Sequence, residues 1–141
     1  MRFYSTRKLT MLWAVLGVGS ICIFAPLVAM ADNLYVIAHP GVELSEAQLK
    51  EVYLGERQFV GSIKLVPVDN TAAQNGFLNK VMSMDAAVYA SLWIKKAFRA
   101  GLAAPEIKSG DAEIVSFIRK TPGSVGYVSA PIAGERVLLQ Y

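Results

Sequence analysis

The chain has 141 residues, a net charge of +3 and one cysteine, Cys22. Arg2, Arg7 and Lys8 supply that whole excess, since no acidic residue precedes Asp32, so residues 32–141 are neutral. This excludes the basic footprint of a nucleic-acid binder and any disulfide framework beyond residue 31, and it leaves an apolar core to hold one small domain together.

Residues 1–31 read as a secretory signal peptide. A short basic start leads into residues 9–30, which carry no charge, and Ala29-Met30-Ala31 is a small-x-small cleavage site followed by Asp32. The uncharged run is also long enough to cross a bilayer, so a retained N-terminal anchor is the rival reading. Pro26 favours cleavage, because it breaks an apolar helix just before the site. Gly19-Ser20-Ile21 ahead of Cys22 do not make a lipoprotein processing site, and Cys22 reads as a small apolar residue of the signal.

Residues 32–141 are expected to form a single domain. Leu34 to Ala38 is a β-rich run entering a His-Pro-Gly turn and predicts a first strand. Ser45, with Gln48 three residues on, predicts a capping box opening a helix whose inner face is Leu49, Val52 and Tyr53, with Leu44 stapled to Leu49 and a left-handed stop at Gly55. Residues 56–62 read as a loop with Phe59 and Val60 folded back onto the domain. Ile63 to Val68 alternates as a strand, in which Pro67 signals an edge, a bulge or the end. Asp69-Asn70-Thr71 then caps a helix from about Ala72, with Phe77, Leu78, Val81 and Met82 inward and Gly76 tolerated inside it.

Ser83 or Asp85 restarts a helix. Val88 and Leu92 follow at helical spacing, Tyr89, Trp93, Ala97 and Phe98 broaden the apolar side, Lys95, Lys96 and Arg99 suit the last turns, and Gly101 ends it. Ala103-Ala104-Pro105 is a linker. Asp111 caps a short helix with Ile114, Val115, Phe117 and Ile118 inward, closed by Thr121-Pro122-Gly123. Residues 126–129 and 137–141 are strands. The alternation predicts an α/β domain, with helices packed on a small mixed sheet.

The strand-to-helix junction at Asp69, Asn70 and Thr71 is the leading site, because free amides at a helix start attract anions. Asn70 and Thr71 would donate, and Asp69 would accept from a hydrogenated oxyanion; ordinary capping explains the same residues. Ser124 and Ser129 flank a turn-to-strand segment within reach of a cleft. Arg57 is expected in an ion pair with Glu51 or Glu56, and Tyr53 and Tyr127 as half-buried core residues with wet hydroxyls. The lone histidine, His39, lacks a nucleophile or metal partners. No motif implies a cofactor, a metal or an enzyme.

Several of these segments together resemble a known family. Leu44-Ser45-Glu46-Ala47-Gln48-Leu49 and Val52-Tyr53-Leu54-Gly55 are similar to "L-S-x-x-Q-L-x-x-I-F-L-G", and Thr121 to Val128 to "T-P-G-A-I-G-Y-V". Ile63 to Asp69, Trp93 and Phe98-Arg99-Ala100-Gly101 fall in order between them. The set resembles the short members of the phosphate-transport substrate-binding proteins, which are type II periplasmic binding proteins. The resemblance implies a reduced domain of that fold, reversible binding of phosphate or a similar oxyanion near Asp69, Asn70, Thr71 and Ser124, and a membrane permease as partner. The family's "R-x-D-G-S-G-T" segment has no arginine and no Gly-Ser-Gly here, and only Thr71 keeps a hydroxyl. A dehydrated anion then lacks donors. The alternative expectation is a ligand-free envelope or extracellular interaction module on the same fold; a hydrolase, the third, has only His39 as a base. N-terminal sequencing of exported protein is expected to begin at Asp32, and a protein still starting at Met1 in the membrane would overturn cleavage.

Overall fold

A computed structural model describes residues 33–141, so the signal, its cleavage site and Cys22 lie outside the described residues. Ala31–Tyr141 forms one compact unit by itself. In chain order it contains β1 (Tyr35–Ala38), α1 (Glu46–Tyr53), β2 (Phe59–Val60), β3 (Ile63–Lys64), β4 (Val66–Asn70), α2 (Gln74–Phe77), a π-helical turn (Leu78–Met82), α3 (Ala86–Ala100), β5 (Glu106–Lys108), α4 (Asp111–Lys120), β6 (Ser124–Val128) and β7 (Val137–Gln140). The domain is mixed α/β, as the alternation of strand and helix patterns predicts. Five strands make one mixed sheet in the order β5-β4-β6-β1-β7, and β2 and β3 pair as a separate hairpin. β4 runs parallel to β5 and β6, whereas β1 is antiparallel to β6 and β7.

The period-two alternation of β1 divides the core. Val36 and Ala38 join a cluster with Leu49, Val52 and Tyr53 of α1, Phe77 of α2, Tyr89 and Trp93 of α3, and Tyr127. Tyr35 and Ile37 join the opposite cluster with Val68 and with Ile114, Val115 and Ile118 of α4. Both faces of the sheet are therefore covered, which is why β1 and β6 are buried at every position.

The local signals act as their chemistry dictates. Ser45 Oγ accepts from the Gln48 amide while the Gln48 side chain accepts from Ser45 N–H, completing the capping box. Gly55 follows the C-cap at φ +71°, and Gly101 caps α3 at φ +64°. Arg57 pairs with Glu51 at 2.6 Å. Pro67 sits inside β4 without breaking the sheet: β4 pairs with β5 only from Val68 to Asn70, so the missing N–H falls where β5 does not reach.

Three expectations are corrected. The loop at 56–62 contains a hairpin strand, and Phe59 is half exposed rather than folded back, with only Val60 packing on the core. The strand expected over 63–68 divides at Leu65, whose amide turns to the Gln58 carbonyl while Val66 N–H bonds Gly123 O. In α3 only Tyr89 and Trp93 are buried; Val88, expected on the apolar face, and Ala97 and Phe98, expected to broaden it, are exposed. The Ala103-Ala104-Pro105 linker stands as expected, and the short strand β5 follows it.

Gly123 is the tightest backbone approach. It sits at φ +80°, and a Cβ there would stand 2.0 Å from the Lys64 carbonyl oxygen. Gly61 is also left-handed, at φ +57°, but has open space around it. Gly123→Ala is expected to cost about 3 kcal/mol or more, and Gly61→Ala only about 1–2 kcal/mol. Urea denaturation of both variants checks this; equal losses would refute the clash.

Candidate functional site

The parallel strands β5, β4 and β6 end along one edge of the sheet, the edge where open α/β sheets hold ligands. The residues that gather there are Asp69 and Asn70 at the end of β4, Asp111 at the start of α4, and Tyr127 and Ser129 at the end of β6.

Asp69 and Asn70 are neighbours on a strand, so their side chains leave on opposite faces and cannot converge on one ion. Asp69 points to the α3 side. Its carboxylate accepts from the Tyr127 hydroxyl at 2.8 Å and from the Tyr89 hydroxyl at 3.0 Å. Burial raises the Asp69 pKa above its ordinary 3.8, and the two phenol hydrogen bonds, which favour the charged form, offset part of the rise. Burial, and then the Asp69 charge, push both phenols well above their ordinary value. Tyr127 also stacks on Phe77 with ring centroids 4.0 Å apart. Tyr53, beside it, is fully buried and donates to the carbonyls of Val68 and Val125 at 2.9 and 3.2 Å. Neither tyrosine is half-buried with a wet hydroxyl, as their sequence context suggests.

Asn70 points to the α4 side. Its amide donates to Asp111 Oδ1 at 2.7 Å and to Tyr127 O at 3.1 Å, and its own Oδ1 accepts the Ala72 amide at 3.1 Å. The next amides are engaged as well: Thr71 N–H bonds Lys108 O, and Ala73 N–H bonds Asn70 O. Thr71 is exposed, and the helix opens two residues later than expected, at Gln74, with Ala73 as an N-cap that supplies no side-chain bond. The asparagine thus closes a turn instead of capping a helix.

Ser124 does not join these residues. It is buried, and its hydroxyl donates to Thr121 O at 2.6 Å and Ile118 O at 3.3 Å, tying the end of α4 to β6. His39 stays structural at the end of β1, with its Nδ1 3.0 Å from Pro40 O and its amide on Ser124 O.

Asp111 is the residue the sequence pattern misplaces. Gly110, not Asp111, is the N-cap of α4. From the first turn the Asp111 carboxylate reaches across the strand ends, accepting from Asn70 Nδ2, from Ser129 N–H at 3.0 Å, from Ser129 Oγ at 2.8 Å and from Ala130 N–H at 3.2 Å. The chain's own carboxylate occupies a ring of donors at a helix N-terminus. Gly110-Asp111 before an amphipathic helix and Ser129 after a strand were the available signals, but nothing in their spacing joins them. Beside this ring, Asn33, Leu34, Ala72, Ala73, Asn75, Gly76 and Ser129 line a concavity of about 190 Å³. Among the described residues no group of three or more His, Cys, Asp or Glu is placed to share a metal ion. Also among them, no helix is long and apolar enough to cross a membrane. A scan of protein-family models and a search of curated proteins find no match to the chain.

The Asp69 cage has a pH signature. Because its folded value lies above 3.8, the folded protein keeps the Asp69 proton over a range where the unfolded chain has released it. The stability this group contributes is full below 3.8 and is lost as pH rises through the raised value. Asp69→Asn lacks that contribution, so the stability of wild type minus that of the variant is expected to fall as pH rises from 3.8 toward neutrality. Denaturation of both proteins across that window measures it; parallel pH profiles would refute the raised value.

Proposed function

We propose that residues 32–141 act, after export, as a non-catalytic interaction module on a single lobe of type II periplasmic-binding-protein character, not as a solute carrier. The internal carboxylate of Asp111 carries this reading. It takes the side-chain amide of Asn70, two backbone amides and the Ser129 hydroxyl at the strand ends. A phosphate arriving there meets a negative charge in place of donors, and like charges close together in a partly buried setting repel. The fold assignment draws support from the ordered segments that resemble that family: Leu44 to Gly55 spans the capping box and α1, Ile63 to Asp69 spans β3 and β4, and Thr121 to Val128 spans the Gly123 turn and β6.

A second reading keeps oxyanion capture, with a permease as partner. The concavity of about 190 Å³ beside the start of α2 favours it, since Ala72, next to Thr71 in the chain, lines it and no acidic side chain does.

Calorimetry and thermal melting of residues 32–141 with phosphate, sulfate and a neutral solute separate the two. The module reading expects no heat and no shift at millimolar phosphate. Asp111→Ala is expected to cost about 2 kcal/mol, because it leaves charge-assisted bonds unmade, and to make the melting temperature respond to phosphate or acetate as the vacated donors take an external anion. Heat of phosphate binding in the wild type, abolished by Thr71→Ala, would establish the carrier reading instead.

A further inference from the structure

The 15-residue helix α3 attaches to the domain by one edge. Tyr89 and Trp93 are its only buried residues, and they pack on the cluster around Tyr53 and Tyr127. On the opposite side, Ala87, Ser91, Ile94 and Phe98 recur at spacings of four, three and four, which places them in one narrow stripe. Phe98 is 93% exposed and Ile94 70%. These two large apolar side chains in water, with the exposed Val88 and Ile107 beside them, mark a contact surface. Grooves run along both of its flanks. One, of about 580 Å³, includes Val88, Leu92 and Lys95; the other, of about 410 Å³, includes Ala90, Ile94, Ala97 and the exposed Ile107 of β5.

We propose that the occupant of this surface is α3 of a second copy of the chain, packed antiparallel about a two-fold axis between Ser91 and Ile94. The inference deepens the interaction-module reading, on which it rests, by naming the partner. A two-fold interface must be self-complementary, each residue meeting its counterpart in both directions. The stripe meets that requirement in one register: Phe98 falls opposite Ala87, and Ile94 opposite Ser91, a large side chain against a small one at every layer. On one flank Val88 comes beside the aliphatic stem of Lys95; on the other Ala90 and Ala97 let the backbones approach closely. Charge selects the direction. Lys95 and Arg99 in the last turns of each helix arrive at the other's N-terminal end, where Asp85 stands, and the helix dipoles oppose. A parallel pair would align the helix dipoles and gather both basic C-terminal turns at one end instead.

Sedimentation of residues 32–141, which form one compact unit, from low to high micromolar concentration tests the pair. Wild type is expected to sediment as a dimer. Ile94→Asp and Phe98→Asp are each expected to weaken self-association by about thirtyfold or more, with unchanged circular dichroism, since both side chains are exposed in a single copy. Ala87→Trp should do the same, because Ala87 is the small residue facing Phe98. Phe59→Asp, in the β2–β3 hairpin, should leave the dimer intact. A wild-type monomer, a monomer that floats with lipid vesicles, or a dimer indifferent to the three α3 variants overturns the proposal. Phosphate titration of the same samples reads the module question separately: a monomer silent to phosphate overturns the dimer alone, and a phosphate-binding monomer overturns both.

Discussion

The domain depends on how β4 and β6 are held together beyond their short ladder. Their paired register covers Val66 with Ser124 and Pro67 with Val125. Further along, side chains cross the seam. Tyr53 bridges the carbonyls of Val68 and Val125, Tyr127 donates to Asp69, and Asn70 donates to Tyr127 O. These bonds lie where water has little access, so each is strong, and each group would be costly to leave unpaired. The consequence reaches the sheet edge: polar groups that look like a binding set at the end of β4 are engaged in keeping two strands together.

Much of the fold was legible in the sequence because it rests on local chemistry. Ser45 with Gln48, Gly55, Asp85 and Gly101 are caps whose partners lie within four residues, and all sit where those signals place them. The β-rich run of β1 and the spacing of apolar residues in α1 and α4 are legible for the same reason. What the sequence does not carry is the outcome of long-range pairing. β5 is three residues long and mostly exposed, and it forms because β4 offers it a parallel edge. The Phe59 hairpin likewise has no apolar alternation to announce it. The outer face of α3 misleads in the other direction: Phe98 carries every mark of a core residue except a neighbouring element to cover it.

The candidate site was legible in residue type and illegible in direction. Asp69, Asn70 and Thr71 do stand where the strand ends, as their turn chemistry suggests. Strand geometry then separates them, sending Asp69 to two phenols on one face and Asn70 to a carboxylate on the other. Tyr89 and Asp111 lie 20 and 41 residues from the groups they bind, and no local pattern reports so distant a contact. Ser124 shows the same limit at shorter range, since its hydroxyl is taken by the Thr121 and Ile118 carbonyls at the end of α4.

These arrangements bear on where the molecule meets anything else. At the strand ends, donors and acceptors are matched within the chain: Asp111 is already ringed by donors, and Lys108 at the end of β5 pairs with Glu106. A site satisfied internally gives little free energy to an incoming ion, because each new bond replaces an existing one. The α3 face is in the opposite condition. Its inner edge needs only Tyr89 and Trp93 to complete the core, yet the helix runs on for several turns with Ile94 and Phe98 outward. Covering those side chains removes apolar surface from water without breaking any bond the fold relies on. The imbalance between a matched polar edge and an unmatched apolar helix locates binding energy on α3.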